Sequence, residues 1–311
     1  MNERSAIFPF VERKWLYFAF SLLILVPGVL FLALGGLKLG IEFRGGSLLD
    51  ARFEQPPTTA LVYEVMVGVG HSEALVQAAE GGRIQIRTLA LSPDEIAAAA
   101  NALEERFAGS FRDVQVSTVS PSFSGELVAN AIQAVVAASV LVVLLVAFAF
   151  RNYGWAAFRY GLASIVALVH DAFLVLGLFA ILGFFFNVEV DSLFVTAVLT
   201  IIGFSVHDTI VVFDRIRENL KLNPGEPLNA VINFSIMQTA ARSVITSFTT
   251  LLTLFALYGF GGYSIRNFAL ALIVGIVAGT YSSIFNAAQV VSLWQEVEDR
   301  LRGRRRAPAP A

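Results

Sequence analysis

Six long apolar stretches divide the sequence, with more polar segments between them. Each approaches or exceeds the roughly 20 residues that an α-helix needs to cross the hydrocarbon core of a bilayer. The pattern therefore predicts an α-helical membrane protein with six transmembrane helices. The first stretch is longer than the apolar part of a signal peptide and lacks a small-residue cleavage site, so a retained helix is expected. The predicted spans are 15–36, 127–149, 158–184, 192–213, 243–260 and 267–294.

Between the first two spans, short runs of alternating apolar and polar residues indicate strands rather than membrane helices. One predicted helix opens with Ser92-Pro93-Asp94-Glu95, a capping-box spacing with proline at the first helical position. The order β-α-β-β-α-β predicts an external ferredoxin-like α/β domain. The predicted strands are Ser47–Phe53, Ala74–Ala79, Arg83–Arg87 and Val114–Val119, and the helices are Thr58–Val69 and Ser92 to about Phe107.

Composition and charge place the helices in a membrane and orient them. Hydrophobic residues make up 56% of the chain and charged residues 15%, and the mean hydropathy is +0.71. Lys and Arg concentrate before the first span, between the second and third, after the fourth and after the sixth. Both termini are therefore predicted to be cytoplasmic and residues 37–126 to be external. The external segment carries more carboxylates than cations, which argues against nucleic acid as its partner.

These observations predict four parts. Residues 1–36 form the cytoplasmic N-terminus and the first helix, and residues 37–126 form the external domain. Residues 127–294 form a bundle of five helices, in which 214–241 is expected to be a cytoplasmic loop. The Arg-rich segment 295–311 directly follows a span and reads as a cytoplasmic tail that anchors on lipid headgroups.

Ionisable residues interrupt the apolar stretches, and at membrane depth such residues mark a path for a proton, an ion or a substrate. A nearby guanidinium favours the ionised form of a carboxylate that would otherwise keep its proton in lipid. We therefore expect Asp208 and Arg242 to form a proton relay. Auxiliary relay or helix-contact roles are expected for His207, Asp171, His170, Thr246 and Ser205.

A polar stripe on the fifth span has two interpretations. Its members recur at three- or four-residue spacing, which places them on one helix face. Such a face indicates either a hydrated path or a hydrogen-bonded helix contact. The stripe consists of Gln238, Arg242, Thr246, Thr249 and Thr253.

Three segments resemble the SecF proteins of the SecD/SecF family, relatives of the resistance-nodulation-division transporters. They are GIEFRGGSLL at 40–49, HDTIVVFDRIREN at 207–219 and QTAARSVITS at 238–247. The resemblance implies that Asp208 carries the proton and that Arg242 is its partner. His207 departs from the family pattern, in which Asn is usual, and places a second titratable group beside Asp208.

The resemblance also implies a function and a location. It implies a subunit of the bacterial Sec protein-export machinery that uses proton-motive force, with SecD, to promote late steps of polypeptide translocation. The implied location is the bacterial cytoplasmic membrane. Protons are the implied coupling ion, and no other cofactor, resident metal or enzymatic activity is expected. The implied partners are a SecD-like subunit, the SecYEG translocon, YajC and the unfolded polypeptide in transit.

Two other functional classes use residues of the same kinds. An independent proton-coupled exporter of small molecules or metals could bind its cargo with His170, Asp171, His207 and Asp208. An intramembrane aspartyl protease would let Asp171 and Asp208 share a proton. The sequence lacks the Gly-x-Gly-Asp signature of such proteases, and Arg242 would oppose a shared proton by favouring both ionised forms.

Overall fold

The computed structural model describes residues 8–79, 81–151, 155–262 and 265–306. These residues group into two compact units, each with its own internal contacts. One unit contains the chain up to Lys38 and from Ala134 onward, and the other is Leu39–Gln133. The first membrane helix, α1, spans Lys14–Gly35 and follows a single 3-10 turn at Val11–Arg13.

The α/β unit has the predicted ferredoxin-like element order, which is confirmed. Its four strands form one antiparallel sheet in the order β2-β3-β1-β4. A short helix at its start, α2, was not predicted. The elements in chain order are α2 (Ile41–Arg44), β1 (Gly46–Phe53), α3 (Thr59–Gly68), β2 (Leu75–Ala79), β3 (Arg83–Thr88), α4 (Pro93–Arg106) and β4 (Phe111–Val119).

One face of this sheet is apolar and packs with α3 and α4, because successive strand side chains point to opposite faces. The predicted capping box of α4 is present: Glu95 Oε2 accepts from the Ser92 backbone amide at 2.7 Å, and Ser92 Oγ accepts from the Glu95 amide at 3.3 Å. The buried core includes Leu49, Ala51, Phe53, Val62, Met66, Ile84, Ile86 and Leu103.

The glycine pair before β1 has a backbone role. Gly45 and Gly46 have φ angles of +76° and +125°, which residues with a Cβ rarely adopt. A Cβ on Gly46 would also lie 2.5 Å from the carbonyl oxygen of Thr88. Glycine at position 46 therefore lets β1 pass close to the end of β3.

The other membrane helices follow the α/β unit along the chain. Together with α1 they provide, among the described residues, six helices long and apolar enough to span a membrane, which confirms the predicted number. The sixth span contains a π-helical turn at Ser283–Ala287, which separates α9 from α10. The helices are α5 (Pro121–Phe150), α6 (Trp155–Phe186), α7 (Ser192–Leu222), α8 (Leu228–Phe260), α9 (Arg266–Ser282) and α10 (Ala288–Arg306).

The helices extend beyond the apolar stretches, so the expected loop at 214–241 is wrong in its extent. Of that segment only 223–227 is not helical, because Pro224, Gly225 and Pro227 form the turn between α7 and α8. The predicted start of the fifth span at 243 is also wrong, since α8 begins at Leu228. The spans were predicted from apolar runs, and such runs do not include the amphipathic ends of these helices.

Small residues allow α1 and α6 to cross closely. A Cβ on Gly177 would lie 2.6 Å from the Cα of Gly28, so the two backbones are in direct contact. Small residues are the usual means of such approach in lipid, where apolar burial drives helix association weakly. This crossing places α6 beside α1 within the bundle.

The Gly46 geometry predicts that Gly46→Ala destabilises the α/β unit. We expect a loss of about 1–3 kcal/mol from the strained backbone alone, and more from the clash with Thr88. Hydrogen exchange of the β1 and β3 amides in the full chain should then accelerate by about tenfold or more.

Gly68→Ala is the matched control, because a Cβ at the end of α3 would meet nothing within 4 Å. This control should leave exchange unchanged or slow it slightly. Equal exchange rates in the two variants would contradict the assigned role of Gly46.

Candidate functional site

A layer of polar side chains is buried where α7 packs against α6, α8 and α9. Asp171 on α6 is 1% exposed and Asp208 on α7 is 4% exposed. Ser205 and Ser282, on α7 and α9, are also buried. Ionisable groups at membrane depth are costly and face the bundle interior, so this layer is the candidate functional site.

Asp171 is the most fully bonded carboxylate of the layer. Its Oδ2 accepts hydrogen bonds from Ser205 Oγ at 2.5 Å and from Ser282 Oγ at 2.6 Å. Its Oδ1 lies 2.9 Å from His170 Nδ1. Asp171 therefore joins α6 to both α7 and α9 through hydrogen bonds to its carboxyl group.

Glycines on α9 make this arrangement possible. A Cβ on Gly275 would lie 2.2 Å from Ile201, and one on Gly279 would lie 3.1 Å from Ser205 Cβ. The same Gly279 Cβ would be 3.6 Å from Asp171 Oδ2. Small residues on α9 thus let α7 come close enough for Ser205 to reach Asp171.

His170 continues the network away from Asp171. Its Nε2 lies 3.2 Å from Asn286 Nδ2, and the same Asn286 nitrogen donates to Ser21 Oγ at 2.8 Å. If Nε2 accepts from Asn286, the neutral ring carries its proton on Nδ1, facing the Asp171 carboxylate. The network therefore connects α6 with α1 and with the π-helical turn.

Asp208 has a different environment from Asp171. Its Oδ1 accepts one long hydrogen bond, 3.5 Å from Ser243 Oγ on α8. Its Oδ2 is buried and has no hydrogen-bond partner among the described residues. A buried oxygen without a donor is costly. Asp208 is thus the less satisfied of the two intramembrane carboxylates.

The sequence-predicted residues fall into three groups in the structure. His170, Asp171 and Ser205 share one network, whereas Asp208 contacts α8 through Ser243. His207, Arg242 and Thr246 are exposed on the surface of the chain. No ion pair joins Arg242 to Asp208 in the described part of the chain. Their relay roles stay predictions.

The threonines of the predicted polar stripe on α8 bond to their own helix, whereas Gln238 Oε1 accepts from Asn219 and Arg215 on α7. Thr246 Oγ1 donates to the carbonyl of Arg242 at 2.9 Å, and Thr249 and Thr253 make equivalent bonds one turn back. A second stripe, shifted by one helix position, faces the bundle instead. It consists of Ser235, Thr239, Ser243 and Ser247, and Ser247 Oγ lies 2.5 Å from Thr280 Oγ1 on α9.

Sequence reasoning missed Ser243, Ser282 and Ser21 as members of the networks. The four-residue spacing of Ser235, Thr239 and Ser243 was a usable signal for a second face on α8. No comparable signal exists for Ser21, because its partner Asn286 lies at the other end of the chain.

Geometry also bears on the two alternative sites. No group of three or more His, Cys, Asp or Glu side chains that could hold a metal ion is found among the described residues. Asp171 and Asp208 bond to different hydroxyls, and within the described ranges no hydrogen bond joins their carboxyl groups. The arrangement of a proton-sharing aspartyl pair is therefore not observed.

Two protein-family models match the sequence. The C-terminal model of the protein export membrane proteins SecD/SecF matches residues 99–297, and the SecD/SecF GG motif matches residues 31–57. The chain belongs to the SecD/SecF family. The GG motif includes Gly45 and Gly46, whose backbone role is described above.

Individual relatives extend the similarity over nearly the whole chain. The protein translocase subunit SecF of Thermobaculum terrenum is 42% identical over 97% of this chain and 98% of its own length. The protein translocase subunit SecDF of Bacillus subtilis is 34% identical over 92% of this chain but only 38% of its own length. This chain is thus similar to all of one relative and to part of a longer one.

Two solved structures are also similar to nearly the whole of this chain, which matches only part of each of them. The crystal structure of SecDF from Thermus thermophilus, a translocon-associated membrane protein, matches with a TM-score of 0.83 and 32% identity, covering 95% of this chain and 40% of that one. A second SecDF structure, in a super-membrane-facing form, matches with a TM-score of 0.68 and 31% identity. The six-helix fold with one α/β domain is therefore a SecD/SecF fold.

The two carboxylates should differ in their contribution to stability. Asp171→Leu removes the acceptor of Ser205 and Ser282 and the partner of His170, and each buried donor left unpaired costs about 1–3 kcal/mol. We expect the unfolding midpoint of the full chain in detergent to fall by about 5 °C or more.

Asp208→Leu is the comparison variant. The substitution removes only one long hydrogen bond and one oxygen without a partner among the described residues. Its midpoint should stay within about 2 °C of the original value or rise. Intrinsic fluorescence during heating measures both changes. Equal losses in the two variants would show that Asp171 is not the main structural contact.

Proposed function

We propose that this multi-pass membrane protein serves bacterial Sec protein export as the SecF-type subunit, working with a SecD-type subunit and driven by protons. The similarity to SecF proteins over nearly the full chain carries this proposal. The longer SecDF relatives, in which the matching region is one part of a single chain, support SecD as the partner.

Asp208 is the proposed proton carrier. Its carboxyl group is buried in a membrane span, held by one weak hydrogen bond, and has an oxygen that no described donor satisfies. Such a group gains most from a proton or from the approach of a cation. Asp171, with three polar partners, is better suited to hold α6, α7 and α9 together.

The proposed cycle alternates the surroundings of Asp208. In one state the ionised carboxylate faces a cation, Arg242, and in the other it takes a proton from a hydrated path. His207, beside Asp208, is a second titratable group that can accept or donate a hydrogen bond in this step. A charge that crosses 100 mV releases about 2.3 kcal/mol, which is sufficient to shift a conformational equilibrium more than tenfold.

Polar side chains that are exposed on membrane helices indicate a surface that a partner protein covers. His207, Arg242 and Thr246 are exposed on this chain, although they lie on membrane helices. Charged side chains facing hydrocarbon are costly, so they normally face protein or water. We infer that membrane helices of SecD cover this surface, defined by His207, Arg242 and Thr246.

Other parts of the proposal concern location and partners. The chain lies in the bacterial inner membrane with both termini in the cytoplasm and the α/β domain outside. That domain offers polypeptide or SecD an open sheet face and free edges at β2 and β4. SecYEG, YajC and the polypeptide in transit are further proposed partners. Protons are the only coupling ion proposed, and the subunit has no proposed enzymatic step or cofactor.

Asp208→Asn tests the proton carrier, because it retains size and hydrogen bonding but cannot take up a proton. We expect it to abolish proton-dependent secretion support while the protein still inserts and binds SecD. Secretion into membrane vesicles should be measured with the membrane potential and the pH gradient both monitored, since a leak would mimic lost coupling.

Asp171→Asn is the comparison variant, because Asp171 is a buried carboxylate whose three polar partners hold helices together. It should reduce secretion support less than Asp208→Asn does. If Asp208→Asn supports secretion at the original level, Asp208 is a structural residue and the relay does not exist.

A photo-crosslinking residue at Thr246 tests the SecD surface. Adducts with SecD should form in native membranes, because Thr246 lies on the proposed contact surface. The same residue at Leu23, on the exposed apolar face of α1, serves as the control. Absence of SecD adducts at Thr246, or equal yields at both positions, would rule out this surface.

A further inference from the structure

A second group of buried polar atoms lies on the sixth span, outside the contacts of Asp208. Gln289, in the first turn of α10, is 0% exposed, and neither its Oε1 nor its Nε2 has a hydrogen-bond partner in the described part of the chain. Asn286, in the π-helical turn, is also buried, and its Oδ1 is likewise unpartnered. Buried polar groups without partners are rare in native proteins and require an explanation.

The chemistry of these atoms indicates what could satisfy them. A Gln side chain presents an acceptor oxygen and a donor NH2 group. A cation would satisfy only the oxygen, an anion only the nitrogen, and an apolar ligand neither. Water donates and accepts, and buried waters typically make about three hydrogen bonds to such groups.

Asn286 and Gln289 are three residues apart on the sixth span. Residues three apart on a helix lie on neighbouring positions, about 4.5 Å apart along the axis. The π-helical turn at Ser283–Ala287 changes the helix spacing at this point, and such turns are frequent at functional sites.

The two amides lie between buried networks that reach in opposite directions. On one side, Asn286 contacts His170, which contacts Asp171 and through it Ser205 on α7. On the other side, Ser292 is buried one turn beyond Gln289 and donates to Asn229 Oδ1 at 2.8 Å. Asn229 lies in the first turn of α8, next to the turn at 223–227.

We propose that Asn286 and Gln289 hold ordered water that extends the His170–Asp171 network towards Ser292 and Asn229, giving the proton path a hydrated branch. The titratable groups along it are His170 and Asp171 on α6, and Asp208 lies on α7, one turn from Ser205. Gln289 positions the water and does not itself take up the proton. The transport role of the branch rests on the proposed function, whereas its hydration does not.

Hydration is tested with the full chain in lipid bilayers, with water as the probe. Gln side chains are labelled with 15N, and the transfer of magnetisation from water to each amide is measured by solid-state NMR. The Gln289 signal is identified by its loss in Gln289→Met, which retains the length of the side chain without hydrogen-bonding groups. We expect transfer to Gln289 within tenfold of the rate at exposed Gln115.

Transport is tested with the full chain and SecD in membrane vesicles that contain a pH-sensitive dye. Gln289→Met should lower the proton flux at least threefold. Ser164→Ala is the matched control: it removes a buried hydroxyl whose bond, to the carbonyl of Tyr160, lies within its own helix. This control should change the flux by less than twofold. If Gln289→Met does not fold, Gln289→Leu replaces it.

Each outcome decides the proposal. Water transfer to Gln289 more than tenfold slower than to Gln115 would overturn it, because the pocket would be dry. Transfer at the expected rate with a flux no lower than in Ser164→Ala would also overturn it, because the water would lie off the path. Asp208→Asn in the same vesicles separates the two proposals: if its flux is unchanged, the proposed function fails, and water transfer to Gln289 still reports on hydration.

Discussion

The cost of burying charge in hydrocarbon governs how this bundle is assembled. Each carboxylate placed at membrane depth must find donors inside the protein, because lipid supplies none. Asp171 meets this requirement with donors from two neighbouring helices, Ser205 and Ser282. Those bonds require short distances between helices, and the short distances require Gly275 and Gly279. The positions of α6, α7 and α9 thus follow from one carboxylate and two glycines.

The sequence predicted the spans and the ferredoxin-like order because both depend on local patterns. An apolar run, an alternating strand and the spacing of Ser92 and Glu95 each report on their own neighbourhood. The same patterns did not predict the length of α7 and α8, whose ends are amphipathic and extend past the apolar runs.

Sequence reasoning was weaker for the site, because the site depends on which helix faces meet. On α8, two polar stripes have nearly the same spacing, and periodicity alone does not tell which one faces the bundle. The structure turns Ser243 inward and Arg242 outward, although they are adjacent. Likewise, Asp171 and Asp208 both follow a histidine in an apolar run, yet their partners differ because Ser282 is contributed by a distant helix.

The difference between the two carboxylates also indicates where motion can occur. The contact of α7 with α6 and α9 includes short bonds to Asp171 and backbone-close packing at Gly279, so changing it would leave buried donors unpaired. The contact of Asp208 with α8 is one 3.5 Å bond, which little energy would break. A free energy of about 2.3 kcal/mol per proton is sufficient to change the second contact but not to dismantle the first. Asn219 on α7 also donates to Ser235 and Gln238 on α8. Movement coupled to protons is therefore expected around the Asp208–Ser243 contact rather than as a separation of α7 from α8.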